Sequence, residues 1–144
     1  MKYACIDTET TGLEPDWCQV LEIGVVVDDL AHPQDPNPPT FHAYITHERI
    51  QGQPYALALN AKILKILADD KDPDILTPTQ ALDRLRVFLH QHFGTSKVTA
   101  AGKNFQGFDK PFLASLWPQV KMNDIFHHRS IDPALAFSRR GDKA

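Results

Sequence analysis

Two acids near the amino end are placed to do chemistry together. In Ile6-Asp7-Thr8-Glu9-Thr10-Thr11-Gly12-Leu13, the apolar run Tyr3 to Ile6 leads into Asp7, and polar and turn residues follow. Such a run reads as a buried strand that ends at the acids. Residues two apart on a strand share a face, so Asp7 and Glu9 project side by side. Paired carboxylates repel unless a proton or a cation lies between them. No Lys or Arg stands within the stretch, so a hard divalent cation is the simplest partner. The plainer alternative is a solvated strand end with two unrelated acids. Other suggestive groupings are weaker. His90 and His92 are two apart on a predicted helix, do not face one another, and are expected in solvent. Neither a glycine-rich phosphate loop nor a His-Glu-x-x-His pattern is present, which leaves P-loop nucleotide hydrolysis and zinc proteolysis unsupported.

The elements that must position the acids follow in order. Val20 to Val27 is a β-branched apolar run, which predicts a second strand covered on both faces. Residues 31–39 hold four of the eleven prolines and read as an exposed hairpin loop, with a third strand over Phe41 to Thr46. Leu59, Ile63, Ile66 and Leu67 recur at helical spacing and predict one helix over Tyr55 to Asp69. Thr77, Pro78 and Gln80 form a capping-box start to a helix whose apolar stripe is Leu82, Leu85, Phe88, Leu89 and Phe93. Gly94 stops it. A short strand over Val98 to Ala101, a loop to Gly107 and a helix over Asp109 to Leu116 come next. Arg129 to Asp132 reads as a strand, and Asp132-Pro133 as the cap of a last helix stopped by Gly141. Three strands followed by alternating helices and strands predict an α/β fold with a mixed sheet.

Composition sets the bounds. With 144 residues, 42% of them apolar, the chain suits one domain with a real core. No apolar run approaches the roughly 20 residues of a membrane span. The amino end enters the first strand without a basic and apolar leader, so no signal peptide is expected. Cys5 and Cys18 lack metal-ligand spacing; Cys5 is expected in the core, and no disulfide framework is expected. A cytoplasmic protein is the resulting expectation. Net charge is −3, but residues 1–96 carry 7 basic and 14 acidic groups while residues 97–144 carry 8 and 4. A protein holding nucleic acid by charge alone would be more basic, whereas one meeting a nucleic-acid end with cations and a basic edge need not be.

Asp7-Thr8-Glu9-Thr10-Thr11-Gly12-Leu13 resembles the first motif of the DEDD 3′→5′ exonucleases, the superfamily of the proofreading subunit of bacterial DNA polymerase III and of oligoribonuclease. Gln19 to Val26 resembles the strand that follows it there. Asn104-Phe105-Gln106-Gly107-Phe108-Asp109-Lys110-Pro111-Phe112-Leu113 resembles the second motif. Two motifs in order are more specific than either alone, and the resemblance covers essentially the whole chain. It implies an RNase H-like mixed sheet of about five strands flanked by helices. It also implies that Asp7, Glu9 and Asp109 hold two Mg²⁺ or Mn²⁺ ions and are the catalytic acids. Two such ions about 3.5–4 Å apart activate a water and stabilise the leaving oxygen. By the same resemblance Thr10, Thr11, Gly12 and Leu13 hold the terminal nucleotide, Leu13 as an apolar wedge and Gly12 by close approach. Asn104 and Phe105 line the other side, where an aromatic ring stacks on a base. Phe108, just before a helix, is expected in the core.

The family also has a fourth carboxylate, preceded by five residues in its largest branch by a His that serves as general base. His127 and Asp132 have that spacing. The stretch Phe126 to Arg140 matches better the segment before the third motif in oligoribonuclease-like members, where Asp132 is a helix cap and Arg129 is structural or phosphate-facing. On that alignment the domain, residues 1–144, is cut short before its final helix, and the catalytic His and Asp lie past Ala144.

The reading is a metal-dependent 3′→5′ exonuclease that acts on single-stranded DNA or RNA and releases nucleoside monophosphates. The alternative is a catalytically incomplete module that binds nucleic-acid ends or a protein partner without cleavage. A third, loose resemblance of Asp7-Thr8-Glu9-Thr10-Thr11 to the Asp-x-Asp-x-Thr of haloacid dehalogenases would make Asp7 a phosphotransfer nucleophile, but it leaves the Asp109 motif without a role.

Overall fold

The computed structural model describes residues 1–132; the predicted last helix lies outside them. Five strands form one mixed sheet, in the order β4-β3-β2-β1-β5. β1 (Lys2–Thr10), β2 (Val20–Asp29) and β3 (Thr40–Ile45) are an antiparallel meander. β4 (Ile75–Leu76) adds parallel to β3, and β5 (Ala100–Ala101) adds parallel to β1. β1 does not stop at the acids: its pairing with β2 carries it through Asp7 and Glu9 to Thr10.

The meander has two unlike faces, and the register fixes both. Ala4 and Ile6 of β1, Ile23 and Val25 of β2, and Ala43 and Ile45 of β3 form the buried face. Against them pack Leu82, Leu85 and Leu89 of α3 (Pro78–Phe93) and Phe112 and Leu113 of α4 (Lys110–Leu116). Trp117, fully buried, donates its Nε1–H to Pro78 O at 2.8 Å and ties the end of α4 to the start of α3. α3 begins with the expected capping box, Thr77 and Gln80 bonding reciprocally, and Gly94 ends it at φ +62.

The opposite face is lined by rungs Glu9–Glu22–Tyr44, Asp7–Gly24–His42 and Cys5–Val26–Thr40. β2 is therefore not covered on both faces: Val26 is 38% exposed. A continuous apolar run suits a two-sided strand, but here Glu22 and Gly24 alternate into it and mark an open side. Cys5 shares that side and is only half-buried. A register shift opposite Glu9 and Thr10 leaves Leu21 as an extra residue in β2.

The predicted single helix over Tyr55 to Asp69 is two, α1 (Pro54–Leu59) and α2 (Ala61–Asp69). Asn60, buried between them with φ −100 and ψ 22, donates its side-chain amide to Thr10 O at 3.0 Å. That tertiary bond interrupts a period that side-chain pattern alone carries straight through. α1 holds no buried residue; Tyr55 and Leu59 are 80% and 69% exposed. His92 is half-buried, its ring 4.8 Å from that of Phe88, and only His90 is exposed as expected. Beyond α4, α5 (Met122–Ile125) precedes an extended segment. The predicted strand over Arg129 to Asp132 is reduced to a parallel bridge of Ile131 to Ala101. Among the described residues no helix is long and apolar enough to cross a membrane.

Candidate active site

The site is built where β5 stops. β5 pairs with β1 only at Ala4 and Cys5, so the edge of β1 beyond Cys5 lies open on that side. Gly102 turns the chain there, and a Cβ on it would stand 2.7 Å from Ile6 O. The close approach requires glycine. The chain then coils as a π-helical turn, Phe105–Asp109, directly into α4. Asn104 opens the turn in the left-handed region at φ 57, a conformation Asn tolerates well.

This route delivers Asp109 to β1. Thr8 Oγ1–H donates to Asp109 Oδ1 at 2.5 Å, and Asp109 is 4% exposed. Thr8 stands between Asp7 and Glu9, so the bond pins the third acid against the span that carries the other two. The electrostatics agree. Burial, opposed by the Thr8 bond and reinforced by the Asp7 charge, pushes the Asp109 pKa up to about 6. Burial, then the charges of Asp7, Glu22 and Asp109, raises that of Glu9. Asp109 and Glu9 hold their protons more tightly because burial, and then the neighbouring acids, disfavour their charge, which is the condition a bound cation relieves.

The donor set, three carboxylates, has the hard-oxygen chemistry that Mg²⁺ and Mn²⁺ take. Among the described residues no three His, Cys, Asp or Glu side chains are drawn tightly enough to make a ready metal site. Asp7 is exposed and Glu9 half-buried, so both are accessible from solvent.

The turn after Glu9 is held by its own side chains. Thr10 Oγ1 donates to Gly12 O at 2.7 Å. Thr11 Oγ1 donates to Gln51 O at 2.6 Å and accepts from Gln19 N at 2.8 Å. Both threonines are buried, so their hydroxyls shape the turn. Gly12 does make a close approach, but to Cys18 and Gln53: a Cβ there would lie 2.5 Å from Cys18 Sγ and 2.7 Å from Gln53 Oε1. Gln53 Oε1 also accepts from Leu13 N at 2.8 Å, and the Leu13 side chain is 71% exposed on the turn after Glu9.

One of the two phenylalanines departs from its expected role. Phe105 is 1% exposed and packs on Phe126 with ring centroids 5.2 Å apart, so it is a core residue with no face for a base. Phe108 is half-buried and packs against the core as expected, its ring 4.9 Å from that of Phe112. Asn104 is exposed, and its N–H points at Asp132 Oδ2, 3.4 Å away.

His127 and Asp132 sit on the extended segment beside β5. His127 N–H donates to Val98 O at 2.8 Å, its Nδ1 accepts from Arg129 N at 3.2 Å, and its ring stacks on His128 at 4.4 Å. Ile131 N–H donates to Ala100 O at 2.9 Å and its carbonyl accepts from Gly102 N at 3.0 Å, which sets Asp132 beside Asn104. Arg129 is exposed. Sequence pattern assigns no site role to Gln53 or Glu22. Only the register and long-range bonds bring them to the site, although Glu22 stands within the recognised second strand.

No family model matches the chain. A curated oligoribonuclease of Paraburkholderia xenovorans (strain LB400) is 26% identical over 132 residues, spanning 92% of this chain and 62% of that protein. Among solved structures, an apo exonuclease I superposes with a TM-score of 0.69 at 12% identity, over 96% of this chain and 30% of that one. Exonuclease I from Methylocaldum szegediense gives 0.67 at 17% identity, over 96% and 29%. E. coli exonuclease I in complex with a dT13 oligonucleotide gives 0.64 at 14%, over 91% and 27%. The structures define the class of fold, the RNase H-like exonuclease sheet. With the oligoribonuclease likeness and the motif residues at the site, the chain is similar to the DEDD 3′→5′ exonucleases. It spans less than two thirds of the curated relative and about a third of the solved chains.

Proposed function

We propose that residues 1–144 form a single exonuclease domain that hydrolyses single-stranded DNA or RNA from the 3′ end and releases nucleoside monophosphates. The observation that carries the reading is the Thr8–Asp109 bond, which joins the two motifs on one strand edge. Asp7, Glu9 and Asp109 hold two Mg²⁺ or Mn²⁺ ions, which when bound supply an activated water and charge stabilisation at the leaving oxygen. The chain's own residues do the rest. Thr8 orients Asp109. The bonds of Thr10, Thr11 and Gln53 hold the turn rigid, so Leu13 meets the terminal base from a fixed backbone. Trp17, Tyr55 and Leu59 are exposed as well, at 42%, 80% and 69%, on segments bonded to residues that hold this turn: Gln51 donates to Trp17 O, and Leu57 N of α1 donates to Gln53 O. Exposed apolar and aromatic side chains beside an acid cluster suit bases stacking without sequence preference.

The test is digestion of a 5′-labelled oligonucleotide in Mn²⁺ by wild type and Asp7→Ala. Wild type gives a ladder shortening from the 3′ end and the variant gives none; equal ladders would end the proposal. The second reading, binding without cleavage, draws on the engagement of His127 by Val98, Arg129 and His128. It predicts metal-dependent binding of a nucleoside monophosphate without turnover, and full turnover by the 144-residue chain rules it out.

A further inference from the structure

The open sheet face holds one acid more than the motif uses. Glu22 stands directly across from Glu9 in the β1–β2 register, and its charge is among those that raise the Glu9 pKa. A free carboxylate on that rung would compete for any cation that Asp7 and Glu9 receive. Glu22 is not free. Its Oε2 lies 2.6 Å from His42 Nε2, and Asp74 Oδ2 lies 2.7 Å from His42 Nδ1. An imidazole with a carboxylate oxygen on each nitrogen donates from both, and so carries a positive charge. Burial alone would lower the His42 pKa; the bonds to Glu22 and then Asp74 outweigh it and raise it. Tyr44 meets the ring edge-on at 4.5 Å and 88°, which fixes its plane. His42 also shares a rung with Asp7, and Gly24 between them puts no side chain in the way.

We propose that His42 is a positioning residue for the acid cluster: clamped between Glu22 and Asp74, it holds the Glu22 carboxylate toward β3 and offsets its charge, so that Asp7 and Glu9 receive the cation on this face. The proposal rests on the metal-dependent reading above. It acts through Glu22, not by contact with substrate, and therefore makes a claim about charge that a merely structural residue would not.

The experiment measures the Mn²⁺ dissociation constant of the full chain by electron paramagnetic resonance of free Mn²⁺ at one fixed pH, with thermal melting as the check on folding. His42→Gln removes a unit charge near the cation and frees Glu22, so Mn²⁺ binds about three- to tenfold more tightly, the range expected in a mostly aqueous dielectric. Turnover of an oligonucleotide falls in the same variant, because the extra ligand misplaces the ion. Glu22→Gln leaves His42 paired with Asp74 alone and removes one negative charge near the cation, which weakens Mn²⁺ by a similar factor. The double variant Glu22→Gln/His42→Gln removes both charges and returns within about twofold of wild type. A structural role predicts instead that every variant weakens binding and the double most. His42→Gln with affinity equal to or weaker than wild type would overturn the clamp. Should that variant not fold, a double variant that binds more weakly than Glu22→Gln alone does the same. Asp7→Ala is measured beside them: unchanged affinity there takes down the metal reading and this proposal with it, whereas a defect there confines any failure to the clamp.

Discussion

Replacing Asp109 with Asn should stabilise the metal-free protein at neutral pH while removing its response to divalent cations. Asp109 is 4% exposed, and burial raises its pKa from 3.8 to about 6. The folded chain therefore binds this proton more tightly than the unfolded chain. Stability contributed by the group is full below the unfolded value and is lost as pH rises from about 4 through about 6. At about 1.4 kcal/mol per unit, the loss approaches about 3 kcal/mol above that window. Asn carries no charge, and its Oδ1 still accepts the Thr8 hydroxyl, so the variant avoids the loss and keeps the bond. Urea or thermal unfolding in EDTA at about pH 4 and about pH 8 is the assay. The two proteins should be equally stable at the lower pH. At the higher one the variant should lead by up to about 3 kcal/mol, or roughly 10 °C in a domain of this size. Added Mn²⁺ should then raise the melting temperature of wild type and leave the variant unmoved. A variant no more stable than wild type at pH 8, or one offset by the same amount at both pH values, would refute the claim that a buried charge is held at this position.

Two further outcomes separate framework from site. Thr77→Ala breaks the reciprocal capping bonds of α3 and should cost about 1 kcal/mol, read as a lower urea midpoint with an unchanged slope. Tyr55→Ala, at an 80% exposed position on a helix with no buried residue, should leave unfolding within about 0.5 kcal/mol of wild type. The same change should weaken single-stranded oligonucleotide binding about tenfold, within the range for losing one stacked base.

What the sequence shows and hides here divides by range. Asp7 and Glu9 are two apart on one strand, so their shared side is readable from alternation alone, as is the Thr77–Gln80 box from spacing. Asp109 is visible through its motif, but the bond that brings it to Thr8 spans 101 residues and no local pattern announces it. The helix break at Asn60 fails for the same reason: Leu59, Ile63, Ile66 and Leu67 keep their period, and only the Thr10 carbonyl 50 residues away explains the interruption. Phe105 is buried in the core rather than turned to a base, in a π turn that the sequence pattern reads as loop. Glu22 looks like one polar residue in an apolar run until the hairpin register sets it opposite Glu9 and the next strand supplies His42.

These long-range bonds have a common direction. Thr8 holds Asp109, Asn60 holds Thr10 O, Gln53 holds Leu13 N, and His42 holds Glu22. Each fixes the last residues of β1, the turn that follows, or an acid beside them. Mutually repelling carboxylates stay close only if surrounding structure outweighs the repulsion, and burial of Asp109 adds to what must be outweighed. The polar ties around β1 supply that restraint, and the packed face of Ile6, Ile23 and Val25 supplies the rigid floor beneath it. An acid cluster held in this way is costly while empty and stabilised when filled. That is why one substitution, Asp109→Asn, is expected to move stability and cation response in opposite directions.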